Sequence, residues 1–192
     1  MPPSAQMETE RCLEKRMGRK VSASLKENEA WLNKQCDGCA DILLHRMKLG
    51  REVDVDALLV YVEVTVANTL LEDSLIGRLL NRLREIPSEA LAEVLDSNAL
   101  GVSDMMTFGE MEQAMAALLA GNGVLFLDGY PKAVKLSAKG YPAMTIQKAE
   151  TEKTLRGSRE SFTESVKLNE ALIRKRIRST GLKIEETPLG GR

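Results

Sequence analysis

The sequence predicts an α/β fold, a mixed sheet of about five strands with about five helices packed on it, and three patterns carry that expectation. Leu71, Leu75, Leu79 and Leu83 recur every four residues, with Ile76 and Leu80 beside them, the spacing of one apolar helix face. Val124–Leu127 and Ala133–Ala138 are short apolar runs joined by Asp128-Gly129-Tyr130-Pro131, the composition of a β-hairpin turn. Other strand-like runs are separated from these by helical patterns. One hairpin-connected pair among helix-separated strands makes the sheet mixed.

The elements follow in order. Residues 1–20 read as a disordered or frayed tail, and residues 21–192 as one α/β domain. Ser24-x-x-Glu27 has the form of a capping box and opens a helix reaching about Gln35. Asp41–Leu49 and Ala57–Glu63 are strand-like and flank the polar connection Gly50–Asp56. The leucine helix ends at Ile86-Pro87, because a residue before proline is pushed out of the helical region. Ser88 then caps a short helix through Leu95. Thr107-x-x-Glu110 caps another, with Met111, Met115, Leu118 and Leu119 facing inward and Gly121 ending it. No internal repeat or low-complexity segment is evident.

Ser161-x-x-Glu164 is a further capping box, so the last helix is expected to start near Phe162 and end at Gly181. At 100° per residue, Phe162, Val166, Asn169, Ile173 and Ile177 share a sector of roughly 80°, the width of a core-facing stripe. Asn169 sits inside that stripe and Arg176 just beyond its edge. A buried amide without partners costs about 1–3 kcal/mol, so Asn169 is expected to bond to backbone or to a charged neighbour such as Arg176. Arg174, Lys175, Arg176 and Arg178 suit a helix C-terminus, where cations complement the macrodipole, or contact with a partner or phospholipid. Leu182–Thr187 closes the set as a strand.

Residues 151–178 contain the pattern TEK-x-x-RG-x-R-x-x-F, followed by E-x-x-x-x-N-x-ALIR-x-RIR. With FLDGYPKAVKLSAKGYP at 126–142, and more faintly DILLHRMKLG and ALLVYVE upstream, the chain resembles the GerA family of spore germination receptors. The match is to the N-terminal soluble region of the A subunits and of the related stage V sporulation protein AF. It runs from about Leu25 onward. Two residues depart from the family turn: Ser158 stands where proline is usual and Ser161 where glycine is usual, which loosens the turn or reshapes it into the capping box. The family also continues into a second soluble subdomain and membrane-spanning helices, so the chain is expected to be a first subdomain, a truncated reading frame or a relic.

The resemblance implies a non-enzymatic subdomain of a nutrient germinant receptor, contributing to assembly and to signal transmission that leads to germination. Its partners would be B and C type subunits or a second copy of itself, with the membrane reached through a C-terminal region missing here. It would lie on the cytoplasmic face of the spore inner membrane; the chain alone would be soluble and cytoplasmic. The partner-contact or structural residues it points to are Arg156, Gly157, Arg159, Asn169, Arg174 and Arg176. No catalytic residue, cofactor or metal is expected.

Composition is consistent with a domain large enough for a real core: 192 residues, 43% hydrophobic and 29% charged. A net charge of −1 disfavours bulk nucleic-acid binding. Residues 151–192 nevertheless hold ten Lys/Arg against six Asp/Glu, a basic end that suits a protein face or an anionic membrane surface. The longest uncharged run, Gln113–Leu127, is fifteen residues and is broken by Gly121-Asn122-Gly123, too short for a bilayer span. Charges throughout residues 1–20 leave no signal-peptide core.

Three motifs invite chemistry. Cys36-Asp37-Gly38-Cys39 has the spacing of zinc or thiol exchange sites, but only Cys12 and His45 could complete a metal set. The pair also follows a helix, where the dipole does not activate a thiol, so the cysteines read as incidental reduced thiols. His45 reads as an edge or surface histidine. Gly121-Asn122-Gly123 follows a helix and precedes a strand, the reverse of a phosphate loop. Against the receptor reading stand two others: a small-ligand or nucleotide-binding α/β module with its site at the strand ends near Asp128-Gly129, and a truncated copy without independent function.

Overall fold

Strand β1, Ile42–Leu49, pairs antiparallel with β2, Val55–Val62, in register from Ile42 opposite Val62 to Leu49 opposite Val55. The computed structural model describes residues 18–51, 53–65, 81–97, 105–137, 162–187 and 190. Three further strands complete the sheet: β3, Met105–Phe108, β4, Gly123–Leu127, and β5, Ala133–Leu136, in the order β1-β2-β4-β5-β3. All pairs between these strands are antiparallel. The parallel contact among the described residues is the isolated bridge between Cys39 and Ile184. The α/β class and the β4–β5 hairpin therefore stand, with Gly129 at φ +80 in its turn, while the five described strands form an antiparallel sheet rather than the expected mixed one and β3 lies where the sequence suggested only a helix cap.

Four α-helices are described: α1, Leu25–Gln35, α2, Leu91–Asp96, α3, Met111–Leu119, and α4, Val166–Arg176. The leucine helix falls outside the described residues except for its end, where residues 81–85 are helical and Leu83 is fully buried. Because side chains alternate along a strand, β2 sends Leu58, Val60 and Val62 to one face and Ala57, Leu59 and Tyr61 to the other. The first set packs with Leu25, Leu32 and Met111 of α1 and α3; the second packs with Leu83, Leu91 and Leu95. The sheet is thus covered on both faces, which explains why the burial of β2 runs unbroken from Ala57 to Val62.

Several expected caps are supplied differently. The Ser24 side chain makes no cap bond; the Leu25 amide donates instead to Asp128 Oδ1 at 2.9 Å, across the sheet from the β4–β5 turn. Thr107 belongs to β3, and Met111 begins α3 with its amide on the Arg19 carbonyl at 2.7 Å. That bond and the Lys20–Glu110 bridge draw residues 18–20 into the fold, although the sequence assigns them to the tail. Residues 1–17 lie outside the described set.

α4 departs most from expectation. It begins at Val166 with Ser165 as its N-cap, accepting from the Leu168 amide, while Ser161 lies outside the described residues. It ends at Arg176 rather than near Gly181. The reason is Arg174, whose guanidinium takes the carbonyls of Ser179 and Leu182 and turns the chain out of the helix. The apolar stripe expected to face the core points outward: Phe162, Val166 and Ile177 are 66%, 68% and 49% exposed. Ile173, at the middle of the stripe, is partly buried, and the buried residues Glu170, Ala171, Leu172 and Arg174 occupy the remaining arc of the helix.

Candidate interaction surface

The region built from the expected site residues is a clasp formed by α4 and the segment after it. Asp41 is held at the mouth of β1, its carbonyl accepting from the Glu63 amide at 2.8 Å as the chain leaves β2. Its carboxylate meets Arg174 in a two-pronged ion pair, Nε to Oδ2 and Nη2 to Oδ1, each 2.7 Å. Both side chains are completely buried. Burial by itself weakens the hold of Arg174 on its proton, and the bonds to Asp41 outweigh it, so its pKa is raised above the ordinary value. Nη1 donates to the Ser179 carbonyl at 2.7 Å and Nη2 to that of Leu182 at 3.3 Å. This arrangement satisfies a buried charge by a planar fork that only arginine offers.

Around the ion pair the fastening continues. The Ala40 amide donates to the Ile184 carbonyl at 2.8 Å, and Cys39 Sγ donates to the Leu182 carbonyl at 3.5 Å. Lys167 gathers three carboxylates, bonding to Glu186 and, at 2.8 Å, to Glu63, with Glu170 Oε2 at 3.5 Å. Those partners, Glu186 first, raise the Lys167 pKa. Glu170 Oε2 is buried without a hydrogen bond, so its ion pair with Lys167 is what compensates it.

Asn169 anchors the entry to α4. Its Oδ1 accepts from the Thr163 amide at 2.7 Å and its Nδ2 donates to the Thr163 carbonyl at 2.8 Å, so the amide is satisfied by backbone. Arg176 is exposed near the helix end, and Arg178 is exposed beyond it with Nε on the Lys175 carbonyl. Arg156, Gly157 and Arg159 lie outside the described residues. The structure therefore brings Asn169 and Arg174 into one fastened segment and leaves Arg176 on its surface. Asp41, the partner that gives Arg174 its meaning, is 133 residues away and carries no local signal that could have identified it.

Cys36 and Cys39 are buried free thiols, and burial pushes Cys36 up to about 11. His45 is exposed on β1, an edge strand of the sheet. Beside Asp128 a cleft of about 300 Å³ is lined by Ser24, Lys26, Glu29, Arg46, Asp56 and Asp128. Arg46 and Glu29 close one side of it with a pair of hydrogen bonds, Nε to Oε1 being 2.7 Å. Among the described residues no group of three or more His, Cys, Asp or Glu is placed to hold a metal, and no helix is long and apolar enough to cross a membrane.

Comparison with known proteins agrees with the motif. The family model for the Bacillus/Clostridium GerA spore germination protein matches residues 30–192. An uncharacterized membrane protein of Bacillus subtilis (strain 168), YfkQ, is 34% identical over 178 residues, 93% of this chain and 34% of its own length. Spore germination protein KA of the same organism is 27% identical over 88% of this chain and 31% of its own length. The chain thus spans about a third of the curated relatives it matches. The crystal structure of the N-terminal domain of the A subunit of the Bacillus megaterium spore germinant receptor GerK3 shares the fold. Its TM-score is 0.61 at 20% identity, covering 85% of this chain and 58% of that one.

Proposed function

The chain belongs to the GerA family of spore germination proteins, and on that premise we propose that it serves as a non-enzymatic A-subunit receptor domain in assembly and signal transmission. The observation that carries this reading is the clasp. A segment bearing the family-like motif is fastened to the sheet by the buried Asp41–Arg174 pair, yet it turns Phe162, Val166, Ile177 and Arg176 outward. An exposed apolar face rimmed by cations suits protein contact. On this reading the partners are B and C type subunits or a second copy. The domain sits at the cytoplasmic face of the spore inner membrane, and residues 21–192 form the working unit. Charge reversal at Arg156 and Arg159 in a complete receptor tests the assignment: loss of the nutrient response with the domain still folded is expected, and an ordinary germination response refutes it.

A second reading has one observation in its favour, the cleft beside Asp128, which lies at the strand ends where a small polar ligand would sit. Thermal-shift screening against nutrients and nucleotides separates the two, since a ligand at 100 times its Kd stabilises by about 2.7 kcal/mol. Silence across the panel leaves the assembly role.

A further inference from the structure

The outer edge of β1 is open. β1 is the last strand on its side of the sheet, so the backbone groups of its alternate residues turn away from β2. Two bonds fix which residues these are. The Glu63 amide donates to the Asp41 carbonyl, which gives the odd residues of β1 to β2. The Asp128 amide on the Asp56 carbonyl gives the even residues of β2 to β4 and so agrees. Leu44, Arg46 and Lys48 therefore point amide and carbonyl outward, and Ile42 its carbonyl alone, since its amide is taken by the Cys39 carbonyl at 3.2 Å. No backbone partner for these outward groups lies among the described residues. The open stretch has definite ends. Ile184 occupies the edge beside Cys39 and accepts from the Ala40 amide, while Gly50, at φ +96, turns the chain away toward the Leu83 carbonyl. The opposite outer strand, β3, is only four residues long against eight in β1, so β1 is the longer free ladder.

An open edge of this length is a template for another strand unless charge, proline or a bulge blunts it. β1 has neither proline nor bulge in its register with β2. Its two basic side chains are paired within their own chain, Arg46 with Glu29 of α1, Nε to Oε1 at 2.7 Å, and Lys48 with Asp54 at 3.1 Å. From Ile42 to Lys48 the midpoint is His45, and a two-fold axis there sets the stretch antiparallel to itself. Leu44 then stands opposite Arg46, Ile42 opposite Lys48 and Leu43 opposite Met47. This register is self-complementary. Its hydrogen-bonded pairs are the even residues, whose groups point outward, and each sets a cation against an apolar side chain. Leu43 and Met47, half-buried on the face that packs toward Leu83 and Leu91, cover one another across the axis. Moving the axis to Arg46 brings two arginines face to face, and moving it to Leu44 runs Lys48 into Ala40, where Ile184 already sits. We propose that β1 pairs with β1 of a second copy of this chain about a two-fold axis at His45, joining the two sheets into one. The receptor reading allows a second copy as partner. The pairing gives that copy a surface apart from the outward face of α4, which stays free for another subunit.

Sedimentation of the chain in reducing buffer reads the pairing. A dimer populated by about 0.5 mM chain is expected, the weak association that suits a small interface. Arg46→Pro removes an outward amide at the centre of the ladder and spares the bonds to β2, a place where an edge strand tolerates proline. It should weaken the dimer by at least about 30-fold, whereas Arg46→Ala, which keeps the amide, should leave it within about threefold. His45→Glu sets two carboxylates opposite each other at the axis and should weaken it about fivefold. In a Cys12→Ser background, His45→Cys should crosslink to its counterpart under mild oxidation, and Lys48→Cys, distant from its own copy in this register, should not. The crosslink reads the register without proline, so the test holds even where Arg46→Pro unfolds the chain. A monomer at every concentration overturns the proposal. So does a dimer that survives Arg46→Pro with its circular dichroism unchanged, that crosslinks through Lys48→Cys and not His45→Cys, or that dissociates on Val166→Asp and therefore uses α4. None of these outcomes touches the receptor assignment, which the Arg156 and Arg159 reversals test separately.

Discussion

Replacing Arg174 by methionine would leave the Asp41 carboxylate fully buried with no cation, and the size of the penalty follows from that geometry. The guanidinium makes two 2.7 Å bonds to Asp41, one of 2.7 Å to the Ser179 carbonyl and one of 3.3 Å to that of Leu182. Removing one partner of a buried ion pair costs about 3–5 kcal/mol, because the survivor keeps its desolvation without its Coulomb partner. For a chain of this size that lowers the melting temperature by about 6–20 °C. Arg174→Lys should recover only part, since a point charge cannot fill the two-pronged geometry. The double variant Asp41→Leu with Arg174→Met should recover most of the loss, because a hydrophobic pair of similar volume removes both burial penalties. Urea melts of the parent, Asp41→Leu, Arg174→Met and the double variant give the coupling directly, and hydrogen exchange over 166–176 shows whether the clasp opens before the sheet unfolds. A loss below about 1 kcal/mol for Arg174→Met, or a double variant as unstable as the two losses added, refutes the account.

The asparagine clamps should differ in weight. Asn28→Ala, at a fully buried site where the side chain bonds to the Ser22 amide and carbonyl, is expected to cost about 2–3 kcal/mol and Asn169→Ala, only partly buried, about 1, both read from urea melts. Gly50 holds φ +96, and a Cβ there would meet the Val53 carbonyl at 2.8 Å and Ser88 Oγ at 2.5 Å, so Gly50→Ala should destabilise by more than about 1–2 kcal/mol. Because burial raises Cys36 from 9.0 to about 11, its thiol stays protonated in the fold after the unfolded chain has lost the proton. Stability is therefore unaffected by this group below about pH 9 and falls between pH 9 and 11. Native Cys36 should resist alkylation at pH 8 and react only on unfolding. Lys167→Met should cost about 1–3 kcal/mol in urea melts, because it leaves the buried Glu170 Oε2 without its compensating cation, and only the part owed to the partly exposed Glu63 and Glu186 should shrink in high salt.

Much of the fold was legible because its signals are local. The run Ala57–Glu63, the turn Asp128-Gly129 and the spacing of Leu25 and Leu32 each declare an element through residues within one or two turns. The cap of α1 was not legible as it stands: Ser24 has the right chemistry, yet Asp128, 103 residues beyond Leu25, takes the amide. β3 was missed because Met105–Phe108 is short and Thr107 mimics a cap.

Sequence alone established the family motif, the α/β class and the fact that the last helix carries an apolar stripe with Asn169 inside it. Tertiary structure decided which way that helix faces. Periodicity reports which side of a helix would gain from being covered, because hydrophobicity is a property of each residue. Whether a cover is there depends on what stands opposite, and for α4 the buried Asp41–Arg174 pair turned the other side inward.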